Sequence, residues 1–130
     1  MSNKSLGSAF ERELAQILAS RGWWVHLLQG NANGQPADLI ALKDGTAMLV
    51  DAKVCSSDTF RLSRMEENQR LAMDLWHSKR CGLTYFALKF IKHDEIYLVS
   101  YHWLASLNAP SVDYKTVTKA GFKLERGDEN

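Results

Sequence analysis

Three charged side chains interrupt two apolar segments in the middle of the chain. Asp38 precedes the apolar residues 39–42, and Asp51 and Lys53 stand within the segment 47–54. Side chains alternate across a β-strand, so Asp51 and Lys53 point to the same face. Burying an ionised group costs several kcal/mol unless the group is paired or binds a cation. The triplet therefore predicts either a site for a hard divalent ion such as Mg²⁺ or a salt bridge at a wet sheet edge.

The segment between the two strands brings the acids together. Residues 43–46 read Lys-Asp-Gly-Thr, and an Asp-Gly pair between two apolar segments is a strong signal for a β-hairpin. In such a hairpin Asp38 lies on the strand next to that of Asp51. We therefore expect paired strands over residues 38–42 and 47–54 that share one charged face.

A helix predicted over residues 6–21 adds a further carboxylate. Its apolar residues recur at helical spacing, and Gly22 follows as a C-terminal stop. Glu11 falls at the edge of the apolar stripe, whereas Glu13 falls on the solvent face and needs no special role. The position of Glu11 predicts a carboxylate turned toward the sheet.

A second predicted helix adds an amide. Ser63 and Glu66 have the spacing of a capping box, which indicates a helix that begins there and runs to about residue 79. Gln69 falls on the apolar side of this helix. Together with Glu11 and the strand residues, Gln69 indicates a polar pocket at the sheet.

The remaining pattern predicts an α/β fold with a mixed central sheet flanked by helices, in the order αβββαββ. We expect a buried strand over residues 23–28 and a turn-rich loop over residues 29–35. Two later strands are expected over residues 83–91 and 95–101, and a short helix over residues 103–107. We expect one domain over residues 1–125 and a disordered tail over residues 126–130.

Composition excludes some classes of protein and leaves others open. No apolar run approaches the roughly 20 residues needed to span a bilayer, and the first residues lack the apolar stretch of a signal peptide. We therefore expect no membrane association and a cytoplasmic location, in the host cytoplasm if the protein is viral. Cys55 and Cys81 are isolated, which indicates neither a disulfide framework nor a zinc site. The net charge of +1 decides nothing, because acids that bind metal cancel bases that bind phosphate.

The residues around the triplet resemble a known family. Residues 36–38 (Pro-Ala-Asp) and 51–53 (Asp-Ala-Lys) resemble the PD-(D/E)xK nuclease signature, with Ala37 inserted. Residues 4–14 are similar to the opening helix of Holliday-junction resolvases of the archaeal type and their bacterial and phage relatives, and residues 37–42 and 49–53 resemble their catalytic hairpin. The chain departs from that pattern at Asp51, where most relatives carry Glu, and at His26, where Arg is common.

The resemblance implies a restriction-endonuclease-like core and a metal-dependent nuclease. The implied cofactor is Mg²⁺, with Mn²⁺ able to substitute, held by Asp38, Asp51, the backbone carbonyl of Ala52 and Glu11, the last directly or through water. Lys53 would orient the attacking water, and Gln69 would contact a phosphate or hold Lys53. The implied catalytic set is therefore Glu11, Asp38, Asp51, Lys53 and Gln69.

The implied substrate is branched double-stranded DNA, such as a four-way junction, cut by a symmetric homodimer. Candidate DNA contacts are polar side chains near the pocket, namely Lys4, Arg12, Asn33, Arg61 and Arg64. Two alternatives remain open. One is a nuclease of the same superfamily with another DNA target, restriction-like or phage DNA-processing; the other is a non-catalytic DNA-binding domain of the same fold, although it would have no reason to keep buried charges.

Overall fold

The computed structural model describes residues 3–29, 35–79 and 82–126, with side chains described from Ser5 onward. The architecture is α/β, as predicted, with a six-stranded mixed sheet between helices. Predictions for the loop residues 30–34, for Cys81 and for residues 127–130 lie outside the described residues.

The first helix and the first strand confirm one prediction and correct another. Helix α1 spans Asn3–Ser20, and Gly22 follows it with φ of +93°, a conformation that glycine adopts without strain. Strand β1 spans Trp24–Leu27, but the prediction that it is buried is wrong. It is an edge strand that pairs only with its neighbour in the described sheet, and Trp24 is 59% exposed.

The predicted hairpin forms the centre of the site. Strand β2 spans Leu39–Lys43 and strand β3 spans Thr46–Cys55, paired antiparallel from Leu39 opposite Val50 to Lys43 opposite Thr46. Asp44 and Gly45 form the turn with φ of +48° and +81°, the left-handed geometry of a two-residue hairpin turn.

Strand β3 continues past the end of β2 and divides the core. Met48 and Val50 belong to a buried cluster with α1, whereas Leu49 and Cys55 belong to a second cluster on the other face of the sheet. This alternation confirms the predicted strand periodicity.

The centre of the sheet is parallel, because a crossover connects β3 to strand β5, Gly82–Phe90. Strand β6, Glu95–Ser100, then pairs antiparallel with β5. The crossover contains strand β4, Thr59–Arg61, a 3-10 turn, Leu62–Arg64, and helix α2, Glu67–His77. Helix α2 therefore begins later than predicted, because the capping box is formed by Glu66 and Gln69 and not by Ser63 and Glu66.

The segment after residue 100 holds more structure than the predicted order αβββαββ. Helix α3 spans Tyr101–Ser106, strand β7 Ser111–Asp113, helix α4 Tyr114–Ala120 and strand β8 Phe122–Lys123. Strand β7 pairs with β4 in a small second sheet, and β8 extends the main sheet beside β6. Among the described residues, no helix is long and apolar enough to cross a membrane.

Candidate active site

Asp38 stands at the start of β2, and its carboxylate is tied to the backbone of β3. The Ala52 N–H donates a hydrogen bond to Asp38 Oδ2 at 2.7 Å, and the backbone N–H of Asp38 donates to the Val50 carbonyl at 3.0 Å. Only 7% of Asp38 is exposed. The hairpin therefore fixes this carboxylate at the point where β3 leaves its partner strand.

Asp51 is the more deeply buried of the two acids, at 2% exposure. Lys53 Nζ lies 3.2 Å from Asp51 Oδ2, so this buried oxygen has an ion-pair partner, although the contact lacks the geometry of a good hydrogen bond. Burial, together with the Asp38 carboxylate, raises the pKa of Asp51 to about 8, against the opposing effect of Lys53. A buried carboxylate that a second carboxylate makes still more costly to ionise is the electrostatic setting that a bound cation relieves.

Glu11 approaches the same place from helix α1. Burial, followed by the nearby Asp38 carboxyl group, raises the pKa of Glu11. Asp38 thus interacts with an acid from α1 and with an acid from β3, which brings together the three carboxylates predicted from separate elements.

The carboxylate oxygens of this site suit a hard cation, although they do not enclose one completely. Among the described residues, no group of three His, Cys, Asp or Glu side chains is arranged to enclose a metal ion. Mg²⁺ is commonly held by one or two carboxylates together with waters and substrate oxygens. The close pair Asp38 and Asp51 meets that requirement.

The backbone of Ala52 can add a carbonyl oxygen to this pair. The N–H and C=O of one strand residue point to the same side, and the Ala52 N–H faces Asp38. Pairing between β2 and β3 ends at Val50, so we expect the Ala52 carbonyl to face the site beyond the end of that ladder.

Gln69 is buried for a reason that the sequence did not reveal. The Glu66 N–H donates to Gln69 Oε1 at 3.1 Å, and the Glu66 side chain accepts from the backbone N–H of Gln69. The amide oxygen therefore caps the start of α2, where it satisfies a backbone N–H at the helix start. A catalytic role for its amide nitrogen stays a prediction.

Sequence reasoning missed a relay of two amides that supports Asp38. Gln35 Nε2 donates to Asp38 Oδ1 at 2.5 Å, and Asn68 Nδ2 donates to the backbone carbonyl of Gln35 at 3.0 Å. The relay connects the first turn of α2 with the carboxylate through residues 33 positions apart. No local spacing pattern could have indicated it.

The predicted DNA contacts divide between the groove and the wider surface. Arg64 lines a groove of about 450 Å³ together with Lys53, the ion-pair partner of Asp51. Arg64 Nη1 donates to the Val54 carbonyl at 2.9 Å, which holds the guanidinium at the wall of the groove. Arg12 and Arg61 are exposed on α1 and β4, while the side chain of Lys4 and all of Asn33 lie outside the described residues.

Glu13 forms ion pairs, although the sequence predicted that it lies on the solvent face without a special role. Its carboxylate lies 2.7 Å from Lys89 Nζ on β5 and 2.9 Å from Arg126 Nη2. Burial raises the pKa of Glu13, but the hydrogen bonds and charges of Lys89 and Arg126 outweigh it, so the net shift is downward. Arg126, which was expected in the tail, also pairs with Asp94 at 2.8 Å.

Comparisons with known proteins give a family and a similar fold. The family model described as archaeal Holliday junction resolvase (Hjc) matches residues 2–128. The 1.6 Å structure of Hjc from Archaeoglobus fulgidus, titled a Holliday junction resolvase from an archaeal hyperthermophile, superposes with a TM-score of 0.70 at 18% identity, covering 89% of this chain and 93% of that one. No curated protein sequence matches the chain.

Proposed function

Because the chain belongs to the archaeal Holliday junction resolvase family, we propose that it is a metal-dependent endonuclease that cuts branched double-stranded DNA at four-way junctions. The observation that carries the metal-dependent part is the convergence of Asp38, Asp51 and Lys53, with Asp51 Oδ2 buried and without a hydrogen bond among the described residues. Lys53 supplies a single positive charge beside the two carboxylates, whereas a divalent cation between them would offset the charge of both.

The proposed cofactor is Mg²⁺, with Mn²⁺ able to substitute. Asp38, Asp51 and the Ala52 carbonyl would hold it, and Glu11 would reach it directly or through water. When bound, such an ion lowers the pKa of a coordinated water and offsets the charge that builds on the scissile phosphate.

The chain's own residues hold the reacting groups in place. Lys53 follows Asp51 by one strand repeat and extends into the groove, where its ammonium group can orient the attacking water and stabilise negative charge on the phosphate. Because the amide oxygen of Gln69 is engaged by Glu66, the amide nitrogen is the group we assign to a phosphate oxygen or to Lys53. The scaffold thus performs the positioning that phosphodiester hydrolysis needs.

We propose that the enzyme works as a homodimer in the cytoplasm. Two symmetric cuts across a four-way junction suit a protein with two-fold symmetry. Leu71 and Leu75, one turn apart on α2, are each 62% exposed, which provides apolar surface that a second copy can cover. Light scattering is expected to give twice the 14.7 kDa mass of one chain; a monomer at micromolar concentration would contradict the dimer.

The decisive experiment compares cleavage of a four-way junction, a flap and a linear duplex of shared sequence in Mg²⁺. We expect paired cuts in opposite strands of the junction and little cutting of the duplex. Equal cutting of the linear duplex would favour a nuclease with another DNA target. Junction binding without any cutting, in either Mg²⁺ or Mn²⁺, would favour a non-catalytic domain of the same fold.

A further inference from the structure

A second basic cavity lies between the small sheet and helix α2. It has a volume of about 500 Å³, and we call it the β4–β7 cavity. Two arginines, Arg61 and Arg70, and three hydroxyl-bearing residues, Thr59, Ser63 and Ser111, line it, and the other two lining residues are apolar. Guanidinium and hydroxyl groups together donate hydrogen bonds in the pattern that an oxyanion accepts.

Arg70 is held in place before any ligand arrives. Its Nε donates to the Met65 carbonyl at 3.0 Å, and its Nη2 donates to the Leu62 carbonyl at 3.3 Å. A guanidinium has five N–H donors, so these bonds fix the group and leave other donors for a ligand. A side chain that is already ordered loses less conformational entropy when it binds.

Arg61 also lines the cavity. It lies on β4 directly opposite Ser111 of β7, and its side chain is exposed. Within the described part of the chain, neither Arg61 nor Arg70 lies within salt-bridge distance of a carboxylate. Asp74, one turn beyond Arg70, interacts with the Tyr101 hydroxyl.

The charge of this cavity contrasts with that of a cavity of similar size beside α1. The α1 cavity, about 560 Å³, contains Lys89 together with Glu13 and Asp94, so its positive charge is neutralised locally. The β4–β7 cavity has two positive charges and no acidic residue in its lining. In a chain of net charge +1, such a local excess attracts an anion.

The β4–β7 cavity is also connected to the candidate active site by the chain itself. The 3-10 turn Leu62–Arg64 separates the two: Arg61 precedes the turn and lines the cavity, whereas Arg64 ends it and lines the groove with Lys53. We propose that the β4–β7 cavity binds a backbone phosphate of the DNA, distinct from the phosphate that is cut. This proposal rests on the proposed function, because it assigns a second phosphodiester contact to the same substrate.

The test uses Arg61→Gln, because the side chain of Arg61 forms no hydrogen bond or ion pair with the described residues, so its loss should not disturb the fold. Ser111→Asp is an independent variant that places a negative charge in the cavity. Binding of a fluorescent four-way junction is measured by anisotropy without divalent ion, over a series of salt concentrations. We expect the dissociation constant to rise about tenfold for Arg61→Gln, as for one charge-assisted contact, and more for Ser111→Asp. The slope of log K against log salt is expected to fall by about 0.9.

Lys119→Gln, on the exposed part of α4, is the matched control and should change neither quantity. Inorganic phosphate, added at constant ionic strength, distinguishes a DNA phosphate from free phosphate as the anion that the cavity binds. If phosphate raises the melting temperature of the wild type but Arg61→Gln binds the junction normally, the cavity takes free phosphate and the proposal is overturned.

Failure of this proposal differs from failure of the proposed function. If the wild type cuts junctions and Arg61→Gln retains both its affinity and its salt slope, only the second phosphate contact is wrong. If the wild type cuts no branched DNA, the function itself is wrong.

Discussion

The carboxylate of Asp51 is buried beside the carboxylate of Asp38, with Lys53 as its cationic neighbour. Replacing it by an amide removes a charge that is costly to bury while nearly preserving its shape. We therefore expect Asp51→Asn to raise the unfolding free energy of the metal-free protein by about 1–2 kcal/mol and to lower junction cleavage at least about 100-fold. Urea unfolding and single-turnover cleavage measure the two effects. Glu67→Gln, an exposed change on α2, is the control; unchanged cleavage in Asp51→Asn would refute the site.

Gln35, which was not among the predicted site residues, supports Asp38. Its replacement should weaken metal binding more than it destabilises the fold. Gln35→Met removes the donor to Asp38 Oδ1 while keeping a side chain of similar length. We expect the Mg²⁺ concentration for half-maximal cleavage to rise about threefold to tenfold, as for a support that orients a metal ligand. Calorimetric Mn²⁺ binding should weaken in parallel. Gln16→Met, on the exposed face of α1, is the matched control.

The relay also predicts that the effects of substituting Gln35 and Asn68 on metal binding are coupled. Because Asn68 acts on Asp38 through Gln35, Asn68→Ala should weaken Mn²⁺ binding less than Gln35→Met does, and the double variant should resemble Gln35→Met alone. Full additivity of the two changes would show that Asn68 and Gln35 act independently.

Residue chemistry determined which parts of the site could be predicted. Asp38, Asp51 and Lys53 could be identified because charged residues in apolar strands are costly, and Glu11 because it interrupts an apolar helix face. The Gln35–Asn68 relay could not, since amides are common in turns and at helix starts and the contact exists only after folding. The cap formed by Gln69 was missed because Ser63 offered an equally good capping pattern three residues earlier.

At the scale of elements, the hairpin turn between β2 and β3 sets the register that places Asp38 beside Asp51. Gly45 has φ of +81°, and a Cβ there would meet no atom within 4 Å, so substitution costs conformational strain and not a clash. We expect Gly45→Ala to lower the unfolding free energy by about 1 kcal/mol, with cleavage by the folded protein unchanged. Gly7→Ala in α1, also without a contact within 4 Å, should be neutral or stabilising. Equal effects at both positions would contradict this account.

Helix α1 is joined to β5 and to the end of the described chain through Glu13, Lys89 and Arg126. The pKa of Glu13 is lowered from its ordinary 4.5, so its ion pairs stabilise the fold fully above pH 4.5. That stabilisation is lost as the pH falls through the lower value in the folded state. We expect wild type to lose more stability than Glu13→Gln when urea unfolding is compared at pH 6 and pH ~3. Glu67→Gln, exposed on α2, should keep the wild-type dependence, whereas parallel curves for wild type and Glu13→Gln would refute the assignment.

The number of residues in a helix or strand determined whether the sequence could predict it. The hairpin, α1 and strands β5 and β6 show several periods of their pattern, so their presence was predicted correctly. Strands β4, β7 and β8 contain only two or three residues each, too few to show alternation. They form because distant segments pair, which a local pattern does not encode. Strand β1 is apolar yet lies at an edge, because sequence does not show which strand lacks a second neighbour.

At the scale of the whole molecule, the two buried clusters explain how the fold positions the site. One cluster packs α1 against the sheet, and the other packs the remaining helices on the opposite face. Glu11 comes from α1, the Asp38–Asp51 pair lies on the hairpin between the clusters, and Asn68 comes from α2. The site therefore depends on both layers being formed, and we expect metal affinity to disappear together with the cooperative unfolding of the domain.

The central claim is that Asp38 and Asp51 hold one divalent cation between them, and calorimetric titration of Mn²⁺ into the intact protein tests it most directly. We predict that the wild type binds Mn²⁺ at this site, and that Asp38→Asn and Asp51→Asn each weaken binding there by at least about tenfold while remaining folded. The Glu67→Gln control should bind as the wild type does. Wild-type affinity in both Asp38→Asn and Asp51→Asn would contradict the shared site and, with it, the metal-dependent mechanism.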